Sequence, residues 1–423
     1  MRALQESHNF GVLHGIIISI MRKHRGDRVI AIMTFVLLMA GLIIIYAIGP
    51  MRANFLNAAY GGNISESHFF TRQLVNVLLS IVAFVVAFKV PYEKIRKYGK
   101  WVLVLGLVLS AGLWVLAKAG SGLAKCELGA CRWINIGSFG SLQPAEFLKL
   151  GLVLYLSQLA ASRKAEGKLN KSDFWLPAGV FSLLSLFFVV VVQKDLGTGV
   201  VLIAIILATI FASGVELKRF ALVCAGILVA AVFVTVTSPH RVERVRTFLN
   251  GEGADTYHIE NAMMAIGTGG LTGVGVGNSV QATGYLPESI NDSVFAIMGE
   301  TFGFLGLTMV VALFVVMLMR VLKVAELGAD EEKRLVAVGV FAWIAVQMAV
   351  NIMAMTGLIP LTGITLPLLS YGGTSMMFVT VALGLVTQLS CYTKRERELK
   401  QVKFSNSHLK KGRLHESTSS RRG

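Results

Sequence analysis

The chain has 423 residues, of which 54% are hydrophobic and only 15% charged, whereas ordinary soluble domains carry about 25% charged residues. With a mean hydropathy of +0.67, this composition excludes a string of soluble domains and points to an all-α polytopic membrane protein. Lysine and arginine exceed aspartate and glutamate by 40 to 24, for a net charge of +16, so where the basic residues fall decides what they mean.

Residues 1–27 read as a cytoplasmic leader, with an apolar run at 10–20 too short to span a bilayer and suited to lying on a surface. Residues 29–49 contain no charge and meet the roughly 20 apolar residues a spanning helix needs. They lack a signal-peptide cleavage pattern and form a retained first span. Apolar segments predict ten spans, centred near residues 39, 81, 109, 154, 184, 204, 229, 307, 346 and 383, within one membrane domain over 28–392. The fifth and sixth are separated only by "QKDLG". A long polar loop parts the seventh from the eighth.

Basic residues cluster before the first span, in the second-to-third loop (Lys89, Lys94, Arg96, Lys97, Lys100) and in the fourth-to-fifth loop (Arg163, Lys164, Lys168, Lys171). Lysine and arginine favour cytoplasmic loops, which puts both termini inside and the seventh-to-eighth loop outside. The tail 393–423 carries ten basic and three acidic residues. Because it follows a span directly, attraction to anionic membrane lipid is preferred over nucleic-acid binding. Cys126 and Cys131 fall in an outward loop, where they either close a small disulfide ring or stand as idle thiols.

Ionisable residues inside a membrane cost about 2.5–3.5 kcal/mol each on the insertion scale and so invite functional readings. In "CRWINIGSFGSLQPAEFLKLGLVLYLSQ", Gln143-Pro144 marks a helix start. Glu146 and Lys149 then lie three apart on one face, as a structural pair or as part of a site. In "VVVVQKDLGTGVVL", Asp195 is best read as the cap of the sixth span. Six glycines between Gly267 and Gly277 lack the Gly-Lys-Ser/Thr of a phosphate loop and predict a segment folded back against the membrane domain. The uncharged "LTGITLPLLSYGGTSMM" reads as a loop and helix cap. Metal and triad templates fail: there is no His-Glu-x-x-His, no Cys-x-x-Cys pairing and no Gly-x-Ser-x-Gly. That leaves acid–base or electrostatic chemistry by carboxylates and basic groups.

Together, "RWINIGSFGSLQPAEFLKL", "KDLGT", "GVGNSVQATGYLPESINDSVFAIMGETFGFLG" and "LPLLSYGGTS" resemble, in order, the signatures of the SEDS proteins, the shape, elongation, division and sporulation family typified by FtsW and RodA. The "GVGNSVQATGYLPE" stretch is more like the division-type FtsW branch. The resemblance implies a peptidoglycan glycosyltransferase that polymerises lipid II on the outer face of the cytoplasmic membrane during septal wall synthesis. It also implies a class B penicillin-binding transpeptidase and other division proteins as partners, and no nucleic acid. The aspartate after "YLPE", here Asp292, would be the catalytic base, with Arg132, Trp133, Glu146, Lys149, Glu288 and Ser370 binding substrate. Positive charge for the pyrophosphate would come from Arg132, Lys149 or a divalent cation (Mg or Mn); no organic cofactor is implied. The chain departs from the family pattern at Ile290-Asn291, where His-Thr is usual, at Lys194 and at Ala145. Two rivals remain at this level: a lipid II transporter using the same polar groove, and a non-catalytic division scaffold.

Overall fold

The computed structural model describes residues 26–127, 130–137, 140–251, 253–328 and 330–392. The surface-lying run at 10–20 and the basic tail 393–423 lie outside the described residues. Helix α1 (Arg28–Tyr60) begins where the Asp27 carboxylate accepts the Val29 amide at 2.9 Å, and ends at Gly61 in a left-handed conformation. Helices α2 (His68–Lys89) and α3 (Tyr92–Lys118) follow. A small antiparallel sheet of β1 (Ala124–Glu127), β2 (Ala130–Asn135) and β3 (Ser141–Leu142), in that order, then interrupts the helices. Helix α4 (Pro144–Ala165) starts on its proline as the sequence predicts, because a proline in the first turn forgoes no helical hydrogen bond.

Next come α5 (Ser172–Leu186), continued by a π-helical turn at Phe187–Val192, then α6 (Leu196–Ser213) and α7 (Leu217–Val236). The segment expected to be a loop is largely helical, with α8 (Pro239–Asn250), α9 (Ala254–Thr268) and a 3-10 turn at Gln281–Thr283. Polar residues such as Arg241, Arg244 and Asn261 disguise these helices in a search for apolar spans, yet all three are held by partners in the fold. Helices α10 (Val294–Glu326), α11 (Glu331–Met355) and α12 (Gly373–Tyr392) complete the chain.

Nine helices among the described residues are long and apolar enough to cross a membrane: α1, α2, α3, α5 with its π turn, α6, α7, α10, α11 and α12. The tenth expected span, near residue 154, is α4, which stands outside that group and carries Glu146 and Lys149. It packs against α3, α6 and α11, and 14 of its 22 residues are buried. Being enclosed by protein rather than lipid, it can hold charges that a lipid-facing helix would reject. Helix α7, in contrast, has no buried residue. The described chain is a multi-pass membrane protein built almost wholly of helices.

The glycine-rich segment folds back as predicted, and a kink in α10 explains why. Gly303 has φ 66° and ψ −167°, which breaks the helix. The carbonyls of Glu300 and Thr301 accept the amides of Val274 and Gly275 at 2.9 and 3.1 Å. The amides of Phe304 and Leu305 donate to Gly270 and Leu271 at 2.9 and 3.1 Å. Backbone groups freed at membrane depth must find protein partners, and the glycine-rich segment supplies four. A Cβ on Gly303 would lie 2.4 Å from the Gly273 nitrogen, so no larger residue fits. Gly303→Ala is expected to cost roughly 1–3 kcal/mol from backbone strain alone, seen as a lower melting temperature of the detergent-extracted protein. Gly226→Ala in α7, which has open space around it, should be neutral or stabilising by up to about 1 kcal/mol. Equal melting of both variants would contradict the close-packed kink.

Candidate active site

Asp292 sits in the turn that precedes α10, and the helix cap position belongs to its neighbour Ser293. It is therefore not spent on capping, the bland alternative for an aspartate at this place. Its turn is tied to the neighbouring elements. The Asn351 side-chain amide on α11 donates to the Asp292 carbonyl at 2.7 Å and to the Ile364 carbonyl at 2.7 Å. The Tyr371 amide donates to the Ile290 carbonyl at 2.8 Å. The loop 357–372 and the Asp292 turn are thus fixed to each other and to one helix.

The loop places Gly363, with φ 68°, beside two functional groups. A Cβ there would lie 3.6 Å from Arg132 Nη1 and 3.9 Å from Asp292 Oδ2. A guanidinium and a carboxylate therefore flank one residue of bare backbone, close together without an ion pair between them. Arg132 reaches this point from β2 and is braced by donating Nη2 to the Lys194 carbonyl at 3.0 Å. Its Nε is buried without a partner. Lys194 takes part through its backbone, held at φ 54°, while its side chain is exposed. Asp195 caps α6 as predicted, accepting the Thr198 amide at 3.0 Å and the Thr198 hydroxyl at 2.9 Å.

The electrostatics of Asp292 suit a base. The residue is half-buried, and the desolvation of its carboxyl, with a smaller contribution from the negative charge of Glu288, pushes its pKa up to about 7. Glu288 is exposed, bonded to the Asn291 amide, and held at φ 48°. Sequence reasoning missed the buried His258 on α9, whose Nε2 lies 2.7 Å from Ser293 Oγ. Burial pushes this imidazole down to about 4, partly opposed by Asp255.

The remaining candidates divide by place. Glu146 and Lys149 pair at 2.7 Å with side chains 2% and 1% exposed. Lys149 also donates to Gln347 Oε1 at 3.3 Å and stands over the Trp343 ring at 4.9 Å. The Trp343 indole donates to the same Gln347 oxygen at 2.9 Å, and Gln347 donates to the Thr365 carbonyl at 3.1 Å. Trp343, Gln347 and Asn351 recur every four residues on one face of α11, a polar ladder from the buried pair to the Asp292 turn. Lys149 is thereby engaged and shut from solvent, unlike Arg132. Trp133 follows Arg132 on the strand, so it points to the opposite face, where Lys125 lies 5.7 Å over its ring. Ser370 is buried and closes its own loop, accepting the Leu366 amide at 2.8 Å. Cys126 and Cys131 are disulfide-bonded, joining facing positions of β1 and β2 one residue before Arg132. Among the described residues no group of three or more His, Cys, Asp or Glu is placed to hold a metal ion.

Comparison with known proteins places this arrangement. The family model for cell cycle proteins of the FtsW, RodA and SpoVE type matches residues 27–395. Stage V sporulation protein E of Bacillus subtilis (strain 168) is 33% identical over 382 residues, covering 88% of this chain and 99% of its own length. The probable peptidoglycan glycosyltransferase FtsW of Thioalkalivibrio sp. (strain K90mix) is 35% identical over 340 residues, covering 79% of this chain and 82% of its own. Among solved structures, a chain from work on the structural coordination of polymerization and crosslinking by a peptidoglycan synthase complex is similar with a TM-score of 0.67. It is 21% identical, with 88% of this chain and 98% of that chain covered, a likeness of fold. With the signature motifs, the buried pair and the aspartate turn all present within the matched span, the chain belongs to the FtsW/RodA/SpoVE family of cell cycle proteins, the SEDS family.

Proposed function

We propose that this chain is a peptidoglycan glycosyltransferase that polymerises lipid II on the outer face of the cytoplasmic membrane in septal wall synthesis, with Asp292 as general base. Family membership and the names of its relatives support the reaction class. The observation that carries the assignment of roles is the placement of Asp292 and Arg132 on either side of Gly363. In an inverting displacement the acceptor 4-hydroxyl oxygen attacks the anomeric carbon of the donor. The bond from that carbon to the pyrophosphate oxygen breaks, its electron pair leaves with the pyrophosphate, and the hydroxyl proton passes to the Asp292 carboxylate. A base with a pKa near the working pH does this best.

Arg132 is the cation for the leaving pyrophosphate, since a guanidinium matches phosphate oxygens in two-pronged geometry. The buried Glu146–Lys149 pair acts behind it, bracing the loop 357–372 through Gln347. A divalent cation fits as one brought in by substrate. Such ions are held by one or two carboxylates together with substrate phosphates, and Glu288 is the carboxylate beside Asp292 that would meet it, where it would neutralise charge on the leaving group. Trp133 turns to the opposite face of its strand and Ser370 closes the loop 366–370, so both act on the site only through the backbone they hold in place. A class B penicillin-binding transpeptidase is the partner this activity requires, because polymerised strands must be crosslinked; other division proteins and membrane lipids complete its surroundings.

Asp292→Asn keeps the shape of the side chain and removes the base. Glycan formation from purified protein, lipid II and the transpeptidase should fall about 10²–10⁴-fold, with insertion and folding unchanged. Near-normal polymerisation would remove Asp292 from the role. The wild-type rate should fall as pH drops below about 7, where the carboxyl takes up a proton and can no longer accept one. Glu288→Gln removes a nearby negative charge, makes Asp292 easier to ionise, and should move that limb to lower pH. An upward shift would contradict the electrostatic assignment. Orientation has its own test in a background lacking Cys224 and Cys391: an impermeant thiol reagent on intact cells should label Leu249→Cys in α8 and spare Lys171→Cys. The reverse pattern would invert the membrane topology.

A further inference from the structure

The turn that carries Asp292 is closed by a side chain from another element. Ser293 Oγ lies 2.7 Å from His258 Nε2, 2.9 Å from the Pro287 carbonyl and 3.5 Å from Asp292 Oδ1. Ser293 is fully buried and His258 is 9% exposed. A hydroxyl has one proton to give and two lone pairs to fill. The Pro287 carbonyl and the Asp292 carboxylate only accept, so both compete for that single proton. A bare His258 Nε2 would add a third acceptor and leave buried groups unsatisfied. Counting donors therefore assigns the proton to His258 Nε2, which donates to Ser293 Oγ and frees the hydroxyl proton for the Pro287 and Asp292 side.

We propose that His258 is a positioning residue for Asp292, acting through Ser293 to orient the carboxylate and favour its ionised form. The inference rests on the general-base reading of Asp292. A hydroxyl that accepts a hydrogen bond is a better donor in turn, and donation to a carboxylate stabilises its charged form. The 3.5 Å contact is long, as catalytic hydrogen bonds often are before substrate binds and tightens them. The charge that acts on the imidazole is Asp255, one turn earlier on α9 and itself paired with Arg244 of α8 at 3.2 Å, and the carboxylate reached through Ser293 is Asp292. Burial keeps His258 neutral until about 4, so a limb near 7 belongs to Asp292.

The test compares His258→Leu, His258→Gln, Ser293→Ala and Asp292→Asn in the full chain, with lipid II and the partner transpeptidase, measuring kcat and KM across pH and melting temperature. His258→Leu and Ser293→Ala should lower kcat about tenfold, the scale of a lost hydrogen bond, with little change in KM, and move the acidic limb up by about half a pH unit. His258→Gln, whose amide N–H donates in place of Nε2, should restore both rate and limb. An unmoved limb in His258→Leu with the rate lowered equally at every pH, or a glutamine variant as impaired as leucine, overturns the proposal. Should the leucine variant fail to insert, an unmoved limb in Ser293→Ala overturns it equally. Polymerisation surviving Asp292→Asn defeats the base assignment itself, whereas an inactive Asp292→Asn with unmoved limbs defeats only the role of His258.

Discussion

The Asn351 side-chain amide, held between the carbonyls of Asp292 and Ile364, is the contact through which the parts of the site reach one another. Both N–H groups of one amide are used, each on backbone from a different segment, and the amide itself is buried on α11. Without it, the turn with Asp292 and the loop with Gly363 would each lose a carbonyl partner that lies within the protein, where an unmatched polar group is costly. The separation of Asp292 from Arg132 across Gly363 follows from that registration.

The same helix carries the connection inward. Trp343 and Gln347 receive the buried Lys149 on one side and hold the Thr365 carbonyl on the other. A paired and hydrogen-bonded charge is tolerable inside protein where a lone one is not. Helix α4 can therefore keep Glu146 and Lys149 only because α3, α6 and α11 enclose it. Its charges are tied through Gln347 to the loop behind Gly363, whereas Arg132, on a strand tied to its neighbour by the Cys126–Cys131 disulfide, keeps its guanidinium beside Gly363.

Much of this is legible in the sequence. Long uncharged runs at α1 or α6 need no tertiary information, since only helices of that length satisfy their backbone in lipid. Pro144 and Asp195 announced helix starts because capping is local. The sheet β1–β2–β3 and helices α8 and α9 were not legible, because short or polar elements resemble loops when apolar span length is the guide. The ladder of Trp343, Gln347 and Asn351 was not legible either, because its polar members look like ordinary variation within an apolar span until the partners they meet are known. His258 offered no signal at all: 35 residues separate it from Ser293, and no local pattern links them.

The sequence by itself determined the class of protein, the family motifs and the candidate carboxylates and cations, since composition, helix length and motif order are properties of the chain alone. It also predicted that the six glycines between Gly267 and Gly277 fold back against the membrane domain, without showing onto which helix. Only the tertiary structure decided that the glycine-rich segment repairs the broken backbone of α10, that Lys149 is sealed while Arg132 and Asp292 meet at Gly363, and that Trp133 turns away. Those outcomes depend on which groups are buried together, and burial is set by packing between segments far apart in the chain. The same cause lifts the pKa of Asp292 to about 7: a carboxyl that is ordinary in sequence is made suited to accept a proton near neutral pH by the protein that surrounds it.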